Sequence, residues 1–178
     1  MLADQIAKII NLPICDSEAT HAEFIDRLKH GALTRDENPQ SHFCAYFLLY
    51  NQTNRTVFII HHKKSGLWIS PGGHIDQGEG LRETLNREIS EELGVNNFFK
   101  QAPPPFLLTI TPIENRVQPC KQHFDIWYLL ATDGANFNID PKEFHDTKWL
   151  TIDDAKKIVI DPANIRALEI INNQYFKR

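Results

Sequence analysis

Glu88, Glu91 and Glu92 stand three and four residues apart near the end of a segment with helical periodicity. A helix would hold all of them on one face. That arrangement is unfavourable in two ways. Like charges at these spacings repel by roughly 0.2–0.5 kcal/mol per pair. They also crowd the negative end of the helix dipole, where cations are preferred by about 0.3–1 kcal/mol each. Arg87 is the neighbour in sequence that can offset them, and no lysine follows before the segment ends. A divalent cation would remove both penalties, and an all-oxygen donor set selects Mg²⁺ or Mn²⁺ over zinc. The residues alone leave open a plain solvated acidic face.

The segment that carries these groups begins at Gly80 and ends at Leu93. Leu81, Leu85, Ile89 and Leu93 form one apolar stripe along it, and Gly94 is placed to stop the helix in the left-handed conformation. A short strand at residues 67–70 precedes it and is stopped by Pro71, Gly72 and Gly73. Upstream, residues 42–50 and 56–62 are β-rich runs around a polar hairpin signal at residues 51–54. Downstream, strands are predicted over residues 106–111, 123–131 and 148–151, then helices over 152–159 and 163–173, with Pro162 in a first-turn position. Before all of this lie two short helices, at residues 3–10 and from a Ser17 cap to before Gly31. The pattern predicts an α/β fold with residues 1–40 as an N-terminal helical extension packed on a core of residues 41–178.

Other side chains near the helix are candidates for contact with a substrate. Lys63 and Lys64 end the strand leading towards it and could meet phosphates as point charges, or simply decorate a hairpin tip. His74 follows Gly73, and His123 and Asp125 alternate on one strand face. His74 and His123 are therefore candidate substrate-binding residues, with a structural histidine as the other reading of His123. A metal site made of His62, His74 and His123 is the minor option, since the carboxylates already account for a metal. Tyr46 or Trp127 could stack a base or serve as core.

Composition bounds the rest. The 178 residues suffice for one domain, and a net charge of −4 gives no sign of a DNA-binding surface. No stretch is long and apolar enough for a membrane span, and the N-terminus reads as a helix rather than a signal peptide. The cytoplasm is the expected compartment. Cys15, Cys44 and Cys120 are far apart, which argues against a disulfide framework or a zinc site and for buried, reduced thiols.

Taken with the loop before it, the helix reads Gly73-x5-Glu79-x7-Arg87-Glu88-Ile89-x-Glu91-Glu92-x-Gly94-Val95. This resembles the signature of the Nudix hydrolase family at every fixed position. The Trp68 to Gly73 approach and the strand at Trp149 look like the same family more loosely, while residues 1–40 fall outside it. The resemblance implies a Nudix-like α/β/α sandwich with a mixed β-sheet. It implies hydrolysis of a diphosphate bond, in a nucleoside triphosphate or in a nucleoside diphosphate linked to another moiety, with Mg²⁺ or Mn²⁺. Gly73, Glu88, Glu91 and Glu92 are then the expected metal ligands, and Arg87 and Glu79 an orienting pair. The base that activates water is, in some members, a carboxylate of this helix. In others it is an acid on a loop before the Trp strand, where this chain has Glu143 with Asp140 and Asp146 nearby, or a solvated loop acid and nothing more. The expected partner is a small phosphorylated, nucleotide-like molecule, and the chain could pair as a homodimer. Two other readings stay open: a Nudix module that senses nucleotides without cleaving them, and an isoprenoid diphosphate isomerase, which would need Cys44 as its catalytic thiol.

Overall fold

A computed structural model describes residues 1–114 and 119–176. Seven strands form one mixed sheet: β1 (Ser41–Asn51), β2 (Thr56–His62), β3 (Trp68–Ile69), β4 (Gly72–His74), β5 (Leu107–Pro112), β6 (Gln122–Ala131) and β7 (Phe144–Thr151). The main path runs β3-β2-β1-β6-β5, with β4 on β1 and β7 on β2. β1 and β6 are parallel, with His42 opposite His123, Cys44 opposite Asp125 and Tyr46 opposite Trp127. The other pairings are antiparallel.

The helices are α1 (Leu2–Ile9), α2 (Glu18–Lys29), α3 (Leu81–Leu93), α4 (Ile152–Ile158) and α5 (Pro162–Ile171). Because side chains alternate across a strand, the sheet has two apolar faces. Phe43, Ala45 and Phe47 of β1 pack with Leu85 and Ile89 of α3, Ile6 of α1 and Phe24 of α2. On the other face Leu48, Val57 and Ile59 meet Ile152, Leu168 and Ile171 of α4 and α5. The result is the expected α/β/α sandwich. No helix among the described residues is long and apolar enough to cross a membrane.

The helix that carries the glutamates is fixed from three sides. Its stripe of Leu81, Leu85, Ile89 and Leu93 is buried, and burying each such side chain stabilises by roughly 1.5–3 kcal/mol. Gly94 ends it at φ 69°, as the sequence predicts. Its start is capped from outside: Gly80 has no side chain to cap with, and the Leu81 N–H donates instead to Gln5 Oε1 of α1 at 2.9 Å. Helix α1 thus holds the end of α3 opposite to the glutamates.

Three expectations need correction. Gly72 and Gly73 do not stop strand structure; they begin β4, which pairs with residues 44–46 of β1. Gly72 can do so because its φ of 130° suits only glycine and because a Cβ there would collide with the backbone of Ala45 and Tyr46. The Trp149 strand starts earlier than predicted, at Phe144, since β2 offers pairing partners back to His62. Cys15 is only half-buried, and its thiol donates to the Asn11 carbonyl.

Candidate active site

A cleft of about 820 Å³ opens where α3, β4 and the start of β1 and β6 meet. Gly73, His74, Arg87, Glu88, Glu91, Glu92, His123 and Glu143 all line it, as do Arg35, His62 and Lys64.

The helix wall is organised by Arg87. Its guanidinium donates to both carboxylate oxygens of Glu79, at 2.7 and 3.0 Å, to Glu88 Oε1 at 2.8 Å and to the His74 carbonyl at 2.8 Å. A weaker contact reaches Glu91 at 3.3 Å. Burial would lower the pKa of Arg87, but the hydrogen bonds to Glu79 and the charge of Glu88 more than reverse this. Glu79 is itself held below the usual carboxylate range: burial would raise it, and hydrogen bonds from Arg87, Thr84 and the Asp76 amide outweigh that. Asp76 adds a looser ion pair to Arg87 at 3.7 Å and a close one to Arg35 at 2.8 Å.

Glu88 and Glu92 lie one turn apart and are both buried, whereas the Glu91 side chain is 58% exposed. Burial raises the pKa of both buried acids. Arg87 pulls Glu88 back, and the Gly72 N–H, 2.8 Å from Glu92, pulls Glu92 back, while Glu88, Glu143 and Glu91 push Glu92 further up. Gly73 lies flush against Glu88, and a Cβ there would meet its carboxylate. Arg87 donates to Glu88 but shares its guanidinium with Glu79, and Glu92 is met by a backbone N–H, so the two buried carboxylates are short of positive charge. Their oxygens, together with the backbone beside Gly73, fit a hard divalent cation.

The strand wall is different in kind. His42, His74 and His123 cluster with ring centroids 4.7–5.0 Å apart, and Cys120 joins them. Burial, then the neighbouring imidazoles, holds His74 down to about 3 and His123 to about 4, so both are neutral. Asp125 is buried and accepts from the Thr109 and Thr111 hydroxyls, yet burial still pushes it up to about 7. Tyr46 and Trp127 stack on each other at 5.1 Å. Trp127 is core, with its indole N–H on Thr109, and Tyr46 is half-buried.

Several sequence candidates are not where they were expected. Lys63 turns away and donates to the Pro141 carbonyl at 2.6 Å, so only Lys64 of the pair lines the cleft. Asp140 and Asp146 do not line it either; Asp140 caps the Lys142 amide and Asp146 pairs with Lys148. His62 does not join His74 and His123. A bulge after His61 leaves its ring beside Phe144 and Ser65, and His42 takes that place through the parallel register of β1 and β6. Sequence reasoning missed His42, Cys120 and Arg35 altogether. Arg35 lies in the polar, proline-containing stretch of residues 33–40 between the second helix and the first strand, where no local pattern marks it.

The NUDIX domain model matches residues 40–173 of this chain. A Xenopus laevis m7GpppN-mRNA hydrolase is 27% identical over 155 residues, covering 70% of this chain and 50% of that protein. The chain thus spans about half the length of that relative. An Escherichia coli nucleoside triphosphatase is 28% identical over 129 residues, covering 71% of this chain and 86% of its own. Among solved structures, the E. coli dihydroneopterin triphosphate pyrophosphohydrolase superposes with a TM-score of 0.56 at 17% identity, covering 76% of this chain and 96% of that one. The NUDIX domain of Shewanella oneidensis NrtR, complexed with ADP ribose, gives 0.57 at 16% identity over 74% and 86% of the two chains. At such identities the structural likeness speaks for the fold alone.

Proposed function

The chain belongs to the NUDIX family, and we propose that it hydrolyses a diphosphate bond in a nucleoside triphosphate, or in a nucleoside diphosphate linked to another moiety, with Mg²⁺ or Mn²⁺. The observation that carries this reading is the buried Glu88–Glu92 pair, braced by Arg87 and the Gly72 amide at the floor of a cleft large enough for a nucleotide. Glu88 and Glu92, with Glu91 and the Gly73 backbone, would hold the metal. Bound there, a divalent ion supplies positive charge for the diphosphate and lowers the pKa of a coordinated water.

The chain's own residues have separable tasks. Arg87 fixes the rotamer of Glu88 and is itself fixed by Glu79, so the carboxylates are ordered before substrate arrives. Lys64 and Arg35 line the cleft and offer positive charge to phosphate oxygens. Glu143 lines the same cleft, near enough for its charge to bear on Glu92, and is the candidate to accept a proton from the attacking water. His74 and His123, being neutral, can offer a single N–H or a lone pair rather than a charge. Tyr46, half-buried and lining the cleft, is the aromatic side chain on which a base could rest.

The full set of acidic ligands supports catalysis over nucleotide sensing. The isomerase reading loses support from Cys44, which is fully buried and whose thiol is pushed well above its ordinary pKa by burial. The test is a panel of nucleoside triphosphates, nucleotide sugars, dinucleotides and capped ends, incubated with Mg²⁺ or Mn²⁺ and read as phosphate released after phosphatase treatment. Turnover of at least one substrate by the wild type, absent in Glu92→Gln, is expected. Binding without turnover across the panel would favour the sensing module.

A further inference from the structure

We propose that His42, His74, His123 and Cys120 form a second metal site, separate from the glutamates and suited to Zn²⁺. Among the described residues these side chains bring one donor atom each to within 4.8 Å of one another. They come from β1, β4, β6 and the residues leading into β6, so the grouping is made by the fold and not by local sequence.

The spacing fits a tetrahedral ion. Zn–N bonds of about 2.0–2.1 Å and a Zn–S bond of about 2.3 Å place neighbouring donors about 3.3–3.6 Å apart. His74 Nε2 and His123 Nε2 are 3.3 Å apart, and His42 Nε2 and Cys120 Sγ are 3.9 Å apart. Few rearrangements are needed, because His42 is already oriented. Its Nδ1 lies 2.9 Å from the Asn38 carbonyl, which can only accept, so the proton sits on Nδ1 and the Nε2 lone pair faces Cys120 and the cluster. Zinc-binding histidines are characteristically held by this kind of second contact. His42 and Cys120 are buried, while His74, Cys120 and His123 line the cleft, which gives the ion a way in.

Donor chemistry separates the two sites. A thiolate with three imidazoles selects zinc, whereas the glutamate oxygens select Mg²⁺ or Mn²⁺. Four protein ligands leave no open position, which is the pattern of a structural site. Such an ion would tie β1, β4 and β6 together at the wall of the cleft. With one thiolate among its ligands it would leave one net positive charge on that wall. The competing arrangement is a metal-free packing of neutral imidazoles. A second grouping, Cys44 with His123 and Asp125, shares His123 with the first and offers three ligands where His42, His74, His123 and Cys120 offer four.

The inference stands independently of the hydrolase reading, and its test does not use turnover. Protein stripped with chelator is titrated with Co²⁺ in excess Mg²⁺ and followed by absorption. One equivalent should give intense tetrahedral ligand-field bands and a thiolate-to-cobalt charge-transfer band, and Zn²⁺ should bleach both. Cys120→Ser should lose the charge-transfer band, while Cys44→Ser and Glu92→Gln should keep it. Weak octahedral bands alone in the wild type would overturn the proposal without recourse to any variant. So would a charge-transfer band that survives Cys120→Ser, or one that disappears in Glu92→Gln.

Discussion

The helix wall of the cleft gathers its carboxylates from a single rigid element and braces them through one guanidinium. The strand wall gathers three imidazoles and a thiol from four distant positions and braces them through backbone pairing. The difference lies in charge. Glu88 and Glu92 are buried acids whose ionised forms are disfavoured by burial and by each other, so that wall is strained towards binding a cation. His74 and His123 on the other wall are neutral, His123 buried and His74 half-buried, and their packing is tolerable without any charge. One wall is therefore expected to respond strongly to a hard divalent ion, and the other to respond only to a softer one.

The sharpest way to break this contrast is Glu92→Gln. Turnover should fall by at least about 10²–10⁴-fold, the range for removing a single group that acts directly in catalysis, and the metal requirement should rise. Because Glu92 is buried and disfavoured as an anion, the metal-free fold should lose no stability, and the amide oxygen of glutamine can still accept from the Gly72 N–H. Mg²⁺ should raise the melting temperature of the wild type, and that rise should vanish in this variant. Chelator should likewise abolish wild-type turnover and added Mg²⁺ or Mn²⁺ restore it. Full turnover in chelator would end the metal-dependent reading.

Arg87→Ala comes next and should act on both activity and stability. Removing the group that orients Glu88 should weaken metal affinity by about 10–100-fold, with partial rescue by added metal. It should also destabilise the fold by about 3 kcal/mol, the low end for removing one partner of a buried ion pair, because the guanidinium side chain is 24% exposed. Urea unfolding and a metal titration measure the two effects separately. A variant normal in both would reduce Arg87 to a surface charge.

The two walls also differ in how far the sequence revealed them. The spacing of Glu88, Glu91, Glu92 and Arg87, the apolar stripe and Gly94 all lie within one helix, so a local period of 3.6 residues was enough to place them. What that period could not show was that Glu91 is more than half exposed at the edge of the cleft while Glu88 and Glu92 are buried. The strand wall depends on register. His42 meets His123 only because β1 and β6 run parallel, and no local signal encodes a pairing between strands so far apart in sequence. Cys120 gave no hint of a metal site for the same reason: its partners are set by topology. Gly72 and Gly73 were legible as glycines but misread as a stop, since the close approach of β4 to β1 is a tertiary fact.

Glu143→Gln probes an acid that belongs to neither wall, in the turn before β7. If Glu143 takes the proton from water, turnover should fall by about 10²-fold with little change in the metal requirement, because its carboxylate is not on the helix wall. A metal titration at saturating substrate distinguishes this from loss of a ligand. Wild-type behaviour would return the base to α3 or to another loop acid, with Glu88 the first choice.

The smallest expected effects come from the adjacent lysines, and they compare an inward with an outward side chain. Lys64 lines the cleft, while the Lys63 ammonium is spent on the Pro141 carbonyl. An exposed ammonium contributes to a phosphate contact on the scale of a surface ion pair, up to about 1 kcal/mol, or a few-fold in affinity. Lys64→Ala should therefore raise KM for a phosphorylated substrate about two- to five-fold and leave kcat nearly unchanged, with the difference shrinking as salt screens the charge. Lys63→Ala should leave both constants at their wild-type values and change stability by no more than about 0.5 kcal/mol, as is usual for a surface substitution. Steady-state kinetics at low and high ionic strength measure all of this on two variants. A larger KM effect from Lys63 than from Lys64 would mean that the loop carrying Pro141 and Glu143 moves when substrate binds and carries Lys63 inward with it.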